Sequence, residues 1–227
     1  MPRYTIIKLR ELHRYLNNKK YSEKIRYLLE YGCNVHSIIN RVLQSYGGIV
    51  FNLDTGEYIA LTNGIGEDIH RELLIELDRE TMHGVQMASV TASNPLTALL
   101  GASIYFSKGH RFVFEEEAGS RDEYWVASIQ LPLFSSSYDA YIVYNSLYNS
   151  IHRAAEKYGG LLVEKTTGLV TIVGGKELGS LVNELSSIGF VGVGVSPIGR
   201  NAYRNAFKAL QLLIDGVVDG RLHIIQG

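Results

Sequence analysis

The chain has 227 residues, of which 46% are hydrophobic and 20% are charged, and its formal net charge is −1. This composition excludes an intrinsically disordered chain, and the near-neutral charge argues against a nucleic-acid partner. The single cysteine, Cys33, excludes an intrachain disulfide. With no signal peptide and no run of ~18 apolar residues, we expect a cytoplasmic protein without membrane contact.

Basic residues are concentrated at the start of the chain. Residues 1–26 contain eight lysines and arginines and only two glutamates. Such a run is typical of a solvated helix face, and it is also compatible with a local anion site. In that second interpretation Arg10 and Arg14, next to the first predicted strand, are candidate phosphate contacts.

Hydrophobic periodicity predicts the elements of the first half in chain order. A Thr-Gly turn at Thr55-Gly56 indicates a hairpin, because glycine readily adopts a positive φ. Gly32 is a candidate break in the first helix. The predicted elements are a strand at 4–9, a helix at 22–45, hairpin strands at 48–53 and 57–61, a helix at 66–80, a strand at 84–91 and a helix at 95–106.

The second half repeats this pattern around a turn at Thr167-Gly168. The predicted elements are a strand at 124–131, a helix at 137–157, hairpin strands at 161–164 and 169–173, a helix at 176–187, a strand at 190–195, a helix at 200–215 and a strand at 222–225.

Internal similarity indicates a duplication. The segment 46–50, Tyr-Gly-Gly-Ile-Val, recurs as Tyr-Gly-Gly-Leu-Leu at 158–162, an offset of 112, and 87–91 matches 191–195 at an offset of 104. Each half has the order β-α-β-β-α-β with a trailing helix. We therefore predict an α+β fold of two tandem ferredoxin-like, palm-like domains with antiparallel sheets and helices on one face. Their bounds are 1–114 and 124–227, joined by a linker at 115–123.

Three features have both a structural and a functional interpretation. Gly192 and Gly194 lie inside a predicted strand, which indicates close approach of either a ligand or a packed helix. Four tyrosines at helical spacing are typical of packing, and a base-stacking surface is the alternative; they are Tyr138, Tyr141, Tyr144 and Tyr148. We expect Cys33 in or near the core rather than as a nucleophile.

Five segments carry a resemblance to a known family, and they lie at 50–65, 94–98, 137–141, 158–160 and 192–195. Over nearly its whole length the chain resembles the archaeal GTP cyclohydrolase III family. It implies palm-like domains and a magnesium-dependent opening of the GTP imidazole ring to a formylamino-pyrimidine, with release of pyrophosphate. The candidate nucleotide contacts are Arg10, Arg14, Tyr138, Asp139, Gly192 and Gly194.

The sequence departs from this family at the aspartates that hold magnesium. Glu11 and Gln130 stand at the first-strand positions, and Gly56 and Gly168 stand in the hairpin turns. Glu11 is the candidate catalytic residue, and Glu11 together with Asp54 and Glu57, which flank the first hairpin turn, are the candidate metal ligands of a rebuilt site in the first half.

Three functional hypotheses follow. The first is a diverged, non-catalytic member that binds a purine nucleotide such as GTP, or that partners an active homologue, in either case as an oligomer. The second is an active GTP cyclohydrolase III, for which Mg²⁺ is the cofactor. The third is a structural or protein-interaction module that retains only the fold.

Overall fold

The structure, a computed structural model, describes residues 1–18, 20–116, 122–134 and 136–227, without the side chains at positions 13, 14, 21 and 29. Contacts divide the chain into two compact units. The N-terminal unit comprises Arg3–Ala92 and Ala98–Ser120, and the C-terminal unit comprises Met1–Pro2, Ser93–Thr97 and Arg121–Gly227. The predicted linker falls partly on residues 117–121, outside the described residues.

The first half of the chain forms a five-stranded sheet. Its elements are β1 (Arg3–Leu9), α1 (Leu12–Asn17), α2 (Tyr21–Gln44), β2 (Ile49–Asp54), β3 (Glu57–Leu61), α3 (Glu67–Glu80), β4 (Val85–Thr91), α4 (Pro95–Ser107) and β5 (Phe112–Phe114). The strand order is β2-β3-β1-β4-β5. The first four strands are antiparallel neighbours, whereas β5 runs parallel to β4.

The second half repeats this topology. Its elements are β6 (Tyr124–Gln130), α5 (Ser137–Lys157), β7 (Leu161–Thr166), β8 (Leu169–Gly174), α6 (Leu178–Leu185), β9 (Phe190–Ser196), α7 (Gly199–Ile214) and β10 (Leu222–Gln226). The strand order is β10-β9-β6-β8-β7. Two tandem ferredoxin-like α+β units are therefore confirmed.

Wholly antiparallel sheets, however, were a wrong prediction. After β4 and β9 the chain passes through a helix and returns beside the same strand, and this βαβ connection makes the edge strands β5 and β10 parallel to their neighbours. In the part of the chain that the structure describes, no helix is long and apolar enough to cross a membrane.

The two faces of the C-terminal sheet are covered by different helices. Val191, Val193 and Val195 of β9 lie in one buried cluster with residues of α5 and α6. Because side chains alternate along a strand, Gly192 and Gly194 lie on the opposite face, where the backbone of α7 packs directly against them. The prediction of helices on one face only was wrong for this unit.

The structure that lies close to Gly192 and Gly194 is the helix α7. A Cβ added to Gly194 would lie 1.9 Å from the Ala202 carbonyl oxygen, and one added to Gly192 would lie 2.2 Å from the Leu210 nitrogen. The space in front of both residues is thus filled by protein backbone. This corrects the interpretation of Gly192 and Gly194 as nucleotide contacts.

Helix α2 corrects two further predictions. It runs unbroken through Gly32, because burial of residues such as Val35 and Ile39 on the sheet outweighs the ~1 kcal/mol that a glycine costs in a helix. Cys33, predicted in or near the core, is exposed. The neighbouring apolar positions set the buried stripe of the helix, and Cys33 lies outside that stripe.

A buried polar network lies in the N-terminal unit. Arg3 is 1% exposed, and its guanidinium donates to Ser89 Oγ at 3.1 Å and to the Glu115 carbonyl at 2.6 Å. Thr5 contacts Ser89 Oγ at 3.2 Å and His70 Nε2 at 2.8 Å, and His70 Nδ1 donates to the Gly66 carbonyl at 2.7 Å. The side chains satisfy one another in place of water.

This network predicts that the protein loses stability in acid. Burial lowers the pKa of His70, the Arg3 guanidinium lowers it further, and only the Gly66 carbonyl and two carboxylates on α3 oppose them. Burial also lowers the pKa of His83. The unfolded chain binds protons as the pH falls through about 6.5, before the folded protein does, so the free energy of unfolding decreases below that pH.

We expect urea unfolding to give a smaller free energy at pH 5.5 than at pH 7.5, and His70→Gln to reduce that pH-dependent loss. His152→Gln, which removes an exposed histidine, is the matched control. An identical loss in the wild type and in His70→Gln would contradict the assignment to His70.

Candidate functional site

A cavity of about 640 Å³ lies between the first half of α5 and the β7–β8 hairpin. We call it the tyrosine cavity, because three tyrosines of α5 form much of its wall. The residues that determine its chemistry are Tyr141, Tyr144, Asn145, Tyr148, Lys165 and Thr167. Its volume is within the range of small-molecule sites, roughly 300–1,000 Å³.

Helical spacing brings the tyrosines to one wall. Helix α5 begins after Ser136, whose side chain accepts a hydrogen bond from the Asp139 backbone N–H, as expected of an N-cap. Positions three or four apart share a helix face, so Ser137, Tyr141, Tyr144 and Tyr148 point to the same side. The first turn of α5, with its partly unsatisfied N–H groups, therefore borders the cavity.

Two of the tyrosines are also hydrogen-bonded to neighbouring backbone, Tyr144 to the segment after β6 and Tyr148 to the β7–β8 hairpin. Tyr144 donates its hydroxyl to the Pro132 carbonyl at 2.8 Å, and Tyr148 donates to the Thr166 carbonyl. The Gly168 N–H donates back to the Tyr148 oxygen at 3.3 Å. These hydroxyls are engaged in structural hydrogen bonds, so what the tyrosines offer to a ligand is aromatic ring surface.

The aromatic rings of this wall also contact one another. Tyr144 and Tyr148 stack with centroids 5.9 Å apart, and Phe134 meets Tyr144 edge-on at 5.4 Å. Tyr141 is 68% exposed at the mouth of the cavity. Lys165 lies 5.3 Å from the Tyr148 ring centroid. The cavity thus combines aromatic surface with one cation, a pairing that suits a planar anionic ligand.

The two hairpin glycines, Gly56 and Gly168, each lie close to the side chain of another residue. Gly168 has φ +80°, and a Cβ there would lie 3.2 Å from both Gln130 Nε2 and the Tyr144 oxygen. The Gln130 amide donates to the Gly168 carbonyl at 3.0 Å. In the other unit, Gly56 has φ +75°, and its Cβ would lie 2.6 Å from Leu12 of α1. Neutral or apolar side chains therefore pack against both turns.

The metal-site candidates do not converge, which corrects the prediction of a rebuilt metal site. The Glu11 backbone N–H donates to the His83 carbonyl at 3.2 Å, beside the start of β4. Glu57 is paired with Lys8, and the Asp54 carboxylate accepts the Thr55 N–H at 2.6 Å. Among the described residues no group of three His, Cys, Asp or Glu side chains could hold a metal ion.

The other sequence-predicted contacts lie in several places. Tyr138, 74% exposed, and Asp139 are on α5 near the tyrosine cavity but do not line it. Arg10 is exposed, and its backbone N–H donates to the Gly84 carbonyl at 3.1 Å. The side chain of Arg14 lies outside the described residues.

The N-terminal unit has a smaller cavity, of about 260 Å³, at the equivalent place between α2 and the β2–β3 hairpin. Leu12 of α1 lines it. Beside it, Tyr27 and Tyr31 stack at 4.9 Å, and the Tyr27 hydroxyl lies 2.6 Å from His83 Nε2. Burial raises the pKa of Tyr27 to about 12. The volume is below that of a nucleotide site, so we place the candidate site in the C-terminal unit.

Three residues that line the cavity were not predicted as site residues from the sequence, namely Asn145, Lys165 and Thr167. The two hairpin residues come close to α5 only through the fold, and no local motif marks them. The helical spacing of the tyrosines did indicate the site in part. If the tyrosines form a base-stacking surface, they must line one face of α5.

Comparisons with known proteins give only distant likenesses. No family model matches the chain, and no curated protein matches it. Among solved structures, a bacterial light-regulated adenylyl cyclase is similar at 12% identity and a TM-score of 0.36, covering 99% of this chain and 85% of that one. A chlorite dismutase from Candidatus Nitrospira defluvii is similar at 13% identity and a TM-score of 0.24, covering 90% and 95%.

Proposed function

We propose that the protein binds a purine nucleotide in the tyrosine cavity, as a diverged, non-catalytic relative of GTP cyclohydrolase III. The observation that carries this proposal is a cavity of about 640 Å³ lined by Tyr141, Tyr144 and Tyr148 of α5 together with Lys165 of the β7–β8 hairpin. Stacking of a base on an aromatic side chain contributes ~1–3 kcal/mol. A lysine contributes a charge-assisted contact to phosphate.

The arrangement suggests how such a ligand lies. The base stacks on Tyr141, the most exposed of the three rings, and the phosphate is directed toward Lys165. Asn145, also on the wall, offers both a donor and an acceptor to a base edge.

Catalysis is not part of the proposal, because the residues do not fit the magnesium that ring opening requires. Mg²⁺ binds through carboxylates and phosphate oxygens. Beside Gly168 the C-terminal unit has the Gln130 amide and the hydroxyl of Tyr144 instead, and Lys165 is a cation. In the N-terminal unit Glu11, Asp54 and Glu57 are not part of any group of three ligating side chains, among the described residues, that could hold a metal ion.

Assembly and compartment belong to the same proposal. A nucleotide-binding, non-catalytic member acts through other copies of the chain or through an active homologue, within the cytoplasm. Leu133 and Phe134, at the rim of the cavity, are exposed apolar residues of the kind found at such contacts.

Removal of the exposed ring tests the stacking surface. Tyr141→Ala is expected to weaken GMP binding by about tenfold, within the ~1–3 kcal/mol of a base–aromatic stack, when measured by calorimetric titration. Tyr138→Ala is the matched control, because Tyr138 is a similarly exposed tyrosine on the same helix that does not line the cavity. Equal weakening by both substitutions would contradict the placement of the base.

The phosphate contact has a separate test. Lys165→Ala is expected to weaken the binding of GMP and GTP and to leave the affinity for guanosine unchanged. Lys208 is an exposed lysine of α7, and Lys208→Ala is expected to change none of these three affinities. If Lys165→Ala weakened the binding of guanosine and of GMP equally, Lys165 would not be a contact of the phosphate.

A further inference from the structure

A second cavity in the C-terminal unit, of about 740 Å³, has a different chemistry. Its wall is mainly apolar and includes Leu131, Ile188, Phe190 and Ile214. Arg221 is the charged residue on this wall, and we call the space the Arg221 cavity. It adjoins the tyrosine cavity, since Leu133 and Thr167 line both.

The Arg221 guanidinium has a neutral hydrogen-bond partner. Its Nη1 donates to the Ser187 carbonyl at 3.3 Å. Among the residues that the structure describes, no carboxylate lies within ion-pair distance of Arg221, although the ion pairs of several other arginines are recorded. An arginine beside an apolar cavity without a carboxylate can accept one from a ligand.

The internal repeat has an arginine at the equivalent position of the N-terminal unit, and that arginine has a carboxylate partner. The Arg221 carbonyl accepts from the Val191 N–H at 2.7 Å, and the Arg111 carbonyl accepts from the Met87 N–H at 2.9 Å. Met87 and Val191 are equivalent in the repeat, so the two arginines are equivalent as well. Arg111 is paired with the carboxylate of Asp78 on α3.

The C-terminal copy lacks that internal carboxylate. Helix α6 ends at Leu185, and the chain continues through Ser186 and Ser187 toward Arg221. The carbonyl of Ser187 replaces a charged partner, and the adjacent space is an apolar cavity. At the corresponding position the C-terminal unit therefore has a backbone carbonyl in place of the carboxylate, next to an apolar cavity.

We propose that the Arg221 cavity binds a small carboxylate with an apolar body, such as a medium-chain fatty acid. The carboxylate pairs with the Arg221 guanidinium, as Asp78 does with Arg111. The hydrocarbon chain lies against Ile188, Phe190 and Ile214. A mainly apolar pocket with one charged anchor is the usual form of such a site, and this site does not depend on the nucleotide site.

Calorimetric titration of the full chain with decanoate, kept below its micelle concentration, tests the proposal. Decanoate is expected to bind, and octanoate to bind more weakly by about fourfold per methylene removed. Decylamine, with the same chain and the opposite charge, is expected not to bind. Absence of decanoate binding, or equal binding of decylamine, would overturn the proposal.

Two variants separate the anchor from general hydrophobic adsorption. Arg221→Gln is expected to weaken decanoate binding by at least tenfold. Arg153 is an exposed arginine of α5, and Arg153→Gln is expected to leave decanoate binding unchanged. Ser187→Asp introduces a carboxylate at the residue whose carbonyl Arg221 contacts, and it is expected to abolish decanoate binding while the protein stays folded. Undiminished binding to a folded Ser187→Asp or Arg221→Gln would show that Arg221 is not the anchor.

Discussion

Replacing Gly194 with alanine is expected to lower the free energy of unfolding by about 3 kcal/mol or more. The added Cβ would lie 1.9 Å from the Ala202 carbonyl oxygen and 2.5 Å from the Ala206 nitrogen. Both atoms belong to the backbone of α7, so no side-chain rotation relieves the overlap. The helix has to move away from β9, and the apolar contacts between them are lost.

Urea unfolding followed by circular dichroism measures this effect. Gly32→Ala is the matched control, because Gly32 lies inside α2 and an added Cβ there would have no atom within 4 Å apart from its chain neighbours and the backbone of its own helix. That substitution is expected to raise the free energy of unfolding by about 0.5–1 kcal/mol through helix propensity. If Gly194→Ala were as stable as the wild type, α7 could not be packed on β9 as described.

The second large effect is expected at the buried arginine of β1. Arg3→Met is expected to lower the free energy of unfolding by about 2–4 kcal/mol. Methionine retains most of the apolar volume of the arginine side chain, but Ser89 Oγ and the Glu115 carbonyl lose the hydrogen bonds that the guanidinium donates. It also removes the cation stacked 4.1 Å from the Phe114 ring centroid.

Lys8→Met provides the control for this experiment on the same strand. Lys8 is paired with Glu57 at the surface, with 42% of its side chain exposed, and such pairs contribute at most about 1 kcal/mol. Equal destabilisation by Arg3→Met and Lys8→Met would show that the network around Arg3 contributes little to stability.

The larger elements of the fold could be predicted because their signals are local. Alternation and helical spacing extend over whole strands and helices, and the recurring Tyr-Gly-Gly segment relates one half to the other. Helix α1 and strand β5 were missed because six and three residues are too short for a period to be read. The parallel pairing of β5 and β10 depends on where the chain returns, which no local pattern encodes.

The candidate site was only partly predictable. The tyrosine spacing on α5 marks an aromatic helix face, but it does not tell whether a sheet or a cavity lies opposite. Lys165 reaches that cavity through the β7–β8 hairpin, a contact of the fold rather than of the sequence. Gly192 and Gly194 show the converse, since a glycine indicates a close approach without identifying what approaches.

The central claim is that the C-terminal unit binds a purine nucleotide without metal or catalysis. Calorimetric titration of GTP and GMP, in EDTA and again with Mg²⁺, tests it most directly, together with the absorbance of GTP after prolonged incubation. The account predicts saturable binding of the same affinity in both buffers and an unchanged purine absorbance. No binding at millimolar nucleotide, or binding that requires Mg²⁺ and is followed by loss of the purine band, would contradict it.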